Sequence, residues 1–265
     1  MDKTKTYFQM KKKTQNKGEI YIYGEIVSNK WDETDVTAVD FKNELDQLRD
    51  VSEIDVHINS AGGNVFEGHA IYNMLKMHKA KVNIYVDALA ASIASVIAMS
   101  GDTIFMHKNS LMMIHNSWVM TIGNSKDLRD TADLLDKTDQ SSNKAYLDKA
   151  TNLSEGELKQ LLEAETWLTA DEAIDKGLAD EILGTSEIAA CISKDSYLMF
   201  KHAPDDIEKD VDKITDISDI KEENVVTPKE KMSQAEKEVR ETIVKECTTL
   251  QTIMDFRRKI YVNII

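Results

Sequence analysis

His57-Ile58-Asn59-Ser60-Ala61-Gly62-Gly63-Asn64 carries an apolar, strand-forming run straight into a double glycine and then into a helical pattern. Paired glycines let a backbone come close to a ligand and turn its N–H groups outward. A loop of this kind can stabilise an oxyanion, hold a phosphate or simply turn the chain, and taken alone it leaves all three open. What it does fix is an architectural unit of strand, tight loop and helix.

The unit recurs on both sides. Residues 19–26, 55–59, 81–86, 103–106 and 111–115 read as strands from their β-branched and apolar runs, and helical patterns span about 36–48, 64–77, 92–100 and 126–150. Further on, Ser154 with Glu157 and Thr169 with Glu172 have capping-box spacing, Gly177 stands where a helix would stop, and 166–169 fits a short strand between them. Strands alternating with helices, without a solenoid repeat, predict an α/β fold closed on one core.

Composition sets the limits of that core. All ten glycines lie between Gly18 and Gly184, while both prolines, Pro204 and Pro228, come later, which places a boundary near residue 185. The expected organisation is a flexible N-terminus over 1–18 with lysines at 11–13, a domain over 19–185, and an extension over 186–265. Residues 205–223 of that extension hold nine acidic side chains against three lysines, a flexible linker in composition. The amphipathic segment after it, ending in Phe256, Ile260, Tyr261 and Ile264, fits a terminal helix.

A formal net charge of −14 argues against a nucleic-acid partner, whose phosphates call for concentrated Lys and Arg. The most apolar run, 88–99, is too short and too rich in Ala and Ser to span a bilayer, and no charged-then-apolar leader opens the chain. A soluble, cytoplasmic protein without membrane partners is expected. Cys191 and Cys247 form no CxxC pair and have no His cluster beside them, and no HExxH occurs, so neither a metal nor any other cofactor is expected.

Two more segments carry chemistry. In Val86-Asp87-Ala88-Leu89-Ala90-Ala91-Ser92-Ile93-Ala94-Ser95 a strand enters a helix of small residues, so Ser92 falls at a helix N-terminus, beside free N–H groups and the positive end of the dipole. Close packing alone would also explain such small residues. In Leu111-Met112-Met113-Ile114-His115-Asn116 an apolar strand ends on a histidine, 23 positions after Ser92. Serine needs a base within hydrogen-bond reach, and imidazole, with a pKa of ~6.5, can take the proton and return it to a leaving amine. The other histidines lack this setting: His57 lies within a strand, His69 and His78 on a helix, His107 before a turn, and His202 in the extension.

Together these segments resemble the ClpP family of serine peptidases. The matching elements, in order, are Asn-Ser-x-Gly-Gly, Ala-Ala-Ser-x-x-Ala, Asn-Ser-x-x-Met-Ile-His, a helical insertion, and Leu-Thr-Ala-x-Glu-Ala-x-x-x-Gly-Leu-Ala-Asp, over residues 19–184. The resemblance implies a spiral of ββα units with a protruding handle helix within 126–162, and a homo-oligomeric ring of six or seven subunits, able to stack. It makes Ser92 the nucleophile, His115 the base, and the Gly63 and Ile93 N–H groups the oxyanion hole, with a peptide lying along Gly62 and Gly63. The third triad position falls on Glu165, where housekeeping members have aspartate, and Asp171 is the nearby substitute.

Ala164-Glu165-Thr166-Trp167-Leu168-Thr169-Ala170 and the acidic extension look more like the ClpP-related head maturation proteases of tailed bacteriophages, which process capsid and scaffold proteins. The lysine-rich start does not match the family's ATPase-contacting loop, so an AAA+ unfoldase partner stays open. Alternatives are a housekeeping Clp proteolytic subunit, a crotonase-like acyl-CoA enzyme built on the same spiral, a Ser-Lys dyad enzyme, and an inactive assembly ring.

Overall fold

The computed structural model describes residues 8–12, 16–30, 34–186 and 200–204. The chain divides into two units, Met1–Asp216 and Ile217–Ile265, and all of the described residues belong to the first. The amphipathic segment at the end of the chain therefore lies outside the described residues, as does the acidic run.

The element order is β1 (Phe8–Lys12), β2 (Lys17–Tyr23), α1 (Ala38–Leu45), β3 (Glu53–Ser60), α2 (Val65–Lys76), β4 (Lys81–Ala91), α3 (Ile93–Ala98), β5 (Thr103–His107), β6 (Leu111–Ile114), α4 (Ser125–Lys149), α5 (Glu155–Glu163), β7 (Thr166–Thr169), α6 (Ala170–Lys176) and β8 (Glu181–Leu183). The eight strands run in the order β1-β2-β3-β4-β5-β8, with β6 beside β4 and β7 beyond β6. All pairings are parallel except β1 with β2 and β6 with β7. Parallel neighbours need crossovers, and α1, α2 and α3 lie in three of them. The α/β class expected from the sequence is the class observed.

Burial follows the pattern that called the strands. Ile20, Ile22, Ile54, Ile58, Ile84 and Val86 are fully buried in one core with Ile71 of α2 and Phe41 of α1. Each such side chain contributes roughly 1.5–3 kcal/mol relative to exposure. Asn64, Ser154 and Thr169 cap the N-termini of α2, α5 and α6, and Gly177, in the left-handed region, ends α6.

Three features differ from the sequence reading. Residues 8–12, within the stretch expected to be flexible, form an edge strand paired antiparallel with β2 from Phe8↔Ile22 to Lys12↔Gly18. A lysine-rich sequence reads as a solvated end, yet charge is also what edge strands carry. The helix expected over 92–100 is shorter, Ile93–Ala98, and the strand expected over 81–86 continues to Ala91. That extension matters for the site: Asn83–Val86 of β4 pair with β5, whereas Leu89–Ala91 pair with β6, so the sheet forks along one strand.

The 25-residue helix α4 begins with a capping box between Asn124 and Asp127 and buries Thr138, Ala145 and Tyr146, all towards its C-terminal half. Its first half carries Leu128 and Leu134, 46% and 51% exposed, and the loop before it leaves Trp118, Met120 and Ile122 in solvent. At the buried end the Tyr146 hydroxyl lies 2.6 Å from Ser95 Oγ, which donates in turn to the Ser92 carbonyl at 2.6 Å. Ser95 has one proton and gives it to Ser92, so Tyr146 is the donor to Ser95. Burial pushes the Tyr146 pKa up and keeps the phenol protonated for that role.

Candidate active site

Strand register brings the predicted residues together. Ala91 pairs with Met113, and the Ser92 N–H donates to the Met113 carbonyl at 2.9 Å, which puts His115 just past Ser92 on the neighbouring strand. Ile114 pairs antiparallel with Thr166, so the next residues outward, His115 and Glu165, face one another at the end of the β6–β7 ladder. Ser60 pairs with Ala90 and Ile26 bridges Gly63, which lays the double-glycine loop beside Ser92.

Ser92 sits at φ 54°, ψ −129°, a conformation non-glycine residues rarely adopt. This sharp turn from β4 into α3 leaves the hydroxyl free of any capping bond to its own helix. Ser92 Oγ instead meets His115 Nε2 at 2.7 Å. Burial is the largest influence on His115 and holds its pKa below the ordinary imidazole value, outweighing the opposite pull of Glu165 and then Asp139. The ring is therefore held neutral.

Gly62 and Gly63 lie at φ +96° and +137°. A Cβ on Gly62 would stand 2.7 Å from both the Ala91 carbonyl oxygen and Ser92 Cβ, so the loop can press against Ser92 only without a side chain. The Gly62 N–H is committed to Ser60 Oγ at 3.1 Å and the Ser92 N–H to Met113. The next amides on the two segments are those of Gly63 and Ile93. A cavity of ≈ 250 Å³ opens here, lined among others by Gly62, Gly63, Ser92, His115, Trp118 and Phe200.

Glu165 is 7% exposed, in the left-handed region at φ 50° between α5 and β7. Its Oε1 accepts the His202 N–H at 2.8 Å. Among the described residues His115 Nδ1 has no hydrogen-bond partner, so register sets Glu165 opposite His115 without joining them. Asp171 lies in the first turn of α6, exposed, where an acidic side chain favours the helix dipole. No group of three His, Cys, Asp or Glu side chains suited to a metal ion occurs among the described residues.

Sequence reading missed two neighbours of this site. Phe200 and His202 reach it from the far side of residue 185, where no motif flagged them. It also set His57 and His107 aside. His57 Nδ1 lies 2.8 Å from Asp87 Oδ2, with the Tyr23 hydroxyl on the same oxygen and His107 3.5 Å from the other, while Tyr21, His57, Tyr85 and Phe105 stack ring on ring across β2 to β5. This cluster belongs to the sheet and takes no part at Ser92.

A family model for Clp protease matches residues 3–186. The chain is similar to the ATP-dependent Clp protease proteolytic subunit 1 of Chlamydia abortus, 36% identical over 130 residues that cover 48% of this chain and 67% of that protein. It is 32% identical over 134 residues to the subunit of the same name in Protochlamydia amoebophila, covering 49% and 65%. The ATP-dependent Clp protease proteolytic subunit of Ligilactobacillus salivarius is 33% identical over 141 residues, covering 52% and 71%. The chain thus spans about two thirds of the length of these relatives.

Proposed function

Because the chain belongs to the Clp protease family, we propose that it is a serine endopeptidase whose nucleophile is Ser92 and whose general base is His115. The observation that carries this reading is the 2.7 Å contact between Ser92 Oγ and His115 Nε2 at a strained strand-to-helix turn. Ser92 Oγ attacks the scissile carbonyl as His115 Nε2 takes its proton. The Gly63 and Ile93 N–H groups hold the oxyanion, and the imidazolium then protonates the leaving amine. Water, activated by the same imidazole, releases the acyl group. Glu165 serves by orienting His115 and stabilising its charged form, the third role of a triad.

The working form in this proposal is a homo-oligomeric ring. Leu128 and Leu134 on α4, with Trp118, Met120 and Ile122 before it, form an apolar run that a second subunit would cover. Substrates are proteins, and the setting we favour is the processing of capsid or scaffold proteins during bacteriophage head maturation, in the host cytoplasm. The Ala164–Ala170 wording, with Glu at the third triad position, and the acidic extension support it. Work beside an ATPase is the second setting, supported by the names of the relatives. No described helix is long and apolar enough to cross a membrane.

The test is a fluorophosphonate probe, which reacts with activated serines, applied to the protein and to Ser92→Ala. Labelling mapped to Ser92 by peptide mass spectrometry and lost in the variant is the expected outcome. An unlabelled, assembled ring would redirect the search to acyl-CoA binding or to an inert assembly role.

The pH dependence of that labelling follows from the base. Imidazolium cannot accept the serine proton, and burial disfavours imidazolium, so reactivity should be flat through neutral pH and fall only below ~6.5, the unperturbed value. Rates measured from pH 5 to 8 check this. A midpoint above ~6.5 would mean that Glu165, and not burial, dominates the ring.

A further inference from the structure

Residues 200–204 lie beyond the family match, yet Phe200 lines the Ser92 cavity and the His202 N–H reaches Glu165. Phe200 packs into a small apolar cluster of Ala61, Leu89, Ala91 and Met113, separate from the main core and formed at the strand ends that carry the site. Its ring meets Trp167 edge to face at 5.5 Å and 85°, and His115 at 6.0 Å and 73°. Two residues on, the His202 N–H occupies Glu165 Oε1, the carboxylate that strand register sets opposite His115. Lys201 between them adds a small downward electrostatic pull on the His115 pKa.

We propose that Phe200–Pro204 is a tethered, substrate-like ligand that obstructs the Ser92 cleft, its Phe200 ring taking an apolar seat that an aromatic side chain of an extended peptide would otherwise occupy. The inference rests on the reading of Ser92 as a nucleophile. Two contacts obstruct the site in different ways. Phe200 fills the apolar seat beside Ser92, and the His202 amide holds the acid away from His115 Nδ1. Departure of the segment empties the seat and frees Glu165 together. An incoming peptide with an aromatic residue in the seat competes for the same surface.

Each contact can be removed in the full-length chain without touching the catalytic residues. Phe200→Ala empties the seat, and His202→Pro deletes the N–H that Glu165 accepts. The rate of fluorophosphonate labelling at Ser92 is compared across the parent, both variants and each variant combined with Ser92→Ala. Both single variants should label at least ~10-fold faster, the gain for a segment closed in about nine molecules of ten. The synthetic peptide Phe-Lys-His-Ala-Pro should slow labelling of Phe200→Ala, whereas Ala-Lys-His-Ala-Pro should not. Labelling of Ser92 at an equal or lower rate in the variants overturns the tethered-ligand inference and leaves the peptidase reading standing. Faster labelling to which both peptides are indifferent overturns the aromatic preference. No labelling of Ser92 in any form overturns the peptidase reading itself.

Discussion

His115→Ala is expected to lower the turnover of a peptide substrate by about 10⁴- to 10⁶-fold while leaving the fold intact. Serine at neutral pH holds its proton too tightly to attack an amide, and removing either member of a nucleophile–base pair costs about as much as removing both. The histidine stands at the end of β6, partly buried, and its one hydrogen bond to a described side chain is the one with Ser92. Its loss should therefore shift the unfolding midpoint little. Turnover and thermal unfolding measured on the same sample separate the two effects, and a variant retaining more than about 1% of parental turnover would rule His115 out as the base.

Gly63→Ala should fail in the opposite way, through structure and chemistry together. The added Cβ would lie 2.1 Å from the Ile26 carbonyl oxygen, and φ +137° is closed to alanine in any case. The loop must move, and the Ile26↔Gly63 bridge and the 2.6 Å bond from the Asn64 N–H to the Ile26 carbonyl move with it. Backbone strain and overpacking each cost about 1–3 kcal/mol, so a loss on the order of 3 kcal/mol is expected. Displacing the Gly63 amide should cost a further ~10²- to 10³-fold in turnover. Denaturant unfolding and steady-state kinetics read the two losses. A variant with unchanged stability and turnover would exclude Gly63 from the oxyanion hole.

The residues that face each other along neighbouring strands were legible because the signals were local. An apolar run into Gly62-Gly63, small residues around Ser92 and a strand ending on His115 each announce themselves within ten residues, and the capping partners Thr169 and Glu172 are three apart. What stayed hidden is carried by contacts distant in the chain. Ala88–Ala91 look like packing filler until the register with β6 makes them the fork of the sheet. The three residues of β8 are too few to form a pattern and owe their place to pairing with β5. His57 and His107 become a pair only through Asp87, 30 and 20 positions away. Phe200 and Glu165 are in the same position: neither neighbour in sequence hints that the segment after residue 199 meets the acid 37 positions before His202.

The hydroxyl relay from Tyr146 through Ser95 to the Ser92 carbonyl constrains how this sequence can drift. Both side chains are buried, Ser95 at 0% and Tyr146 at 1% exposed. Changing Ser95 alone leaves a buried phenol without its partner, and changing Tyr146 alone removes the donor to a serine that braces Ser92, whereas replacing both by apolar residues of similar shape is nearly neutral. The shortest route from this pair to an apolar one therefore crosses a handicapped intermediate, and two positions 51 residues apart are inherited as a single character. Lineages descending from this sequence should keep both hydroxyls or have lost both.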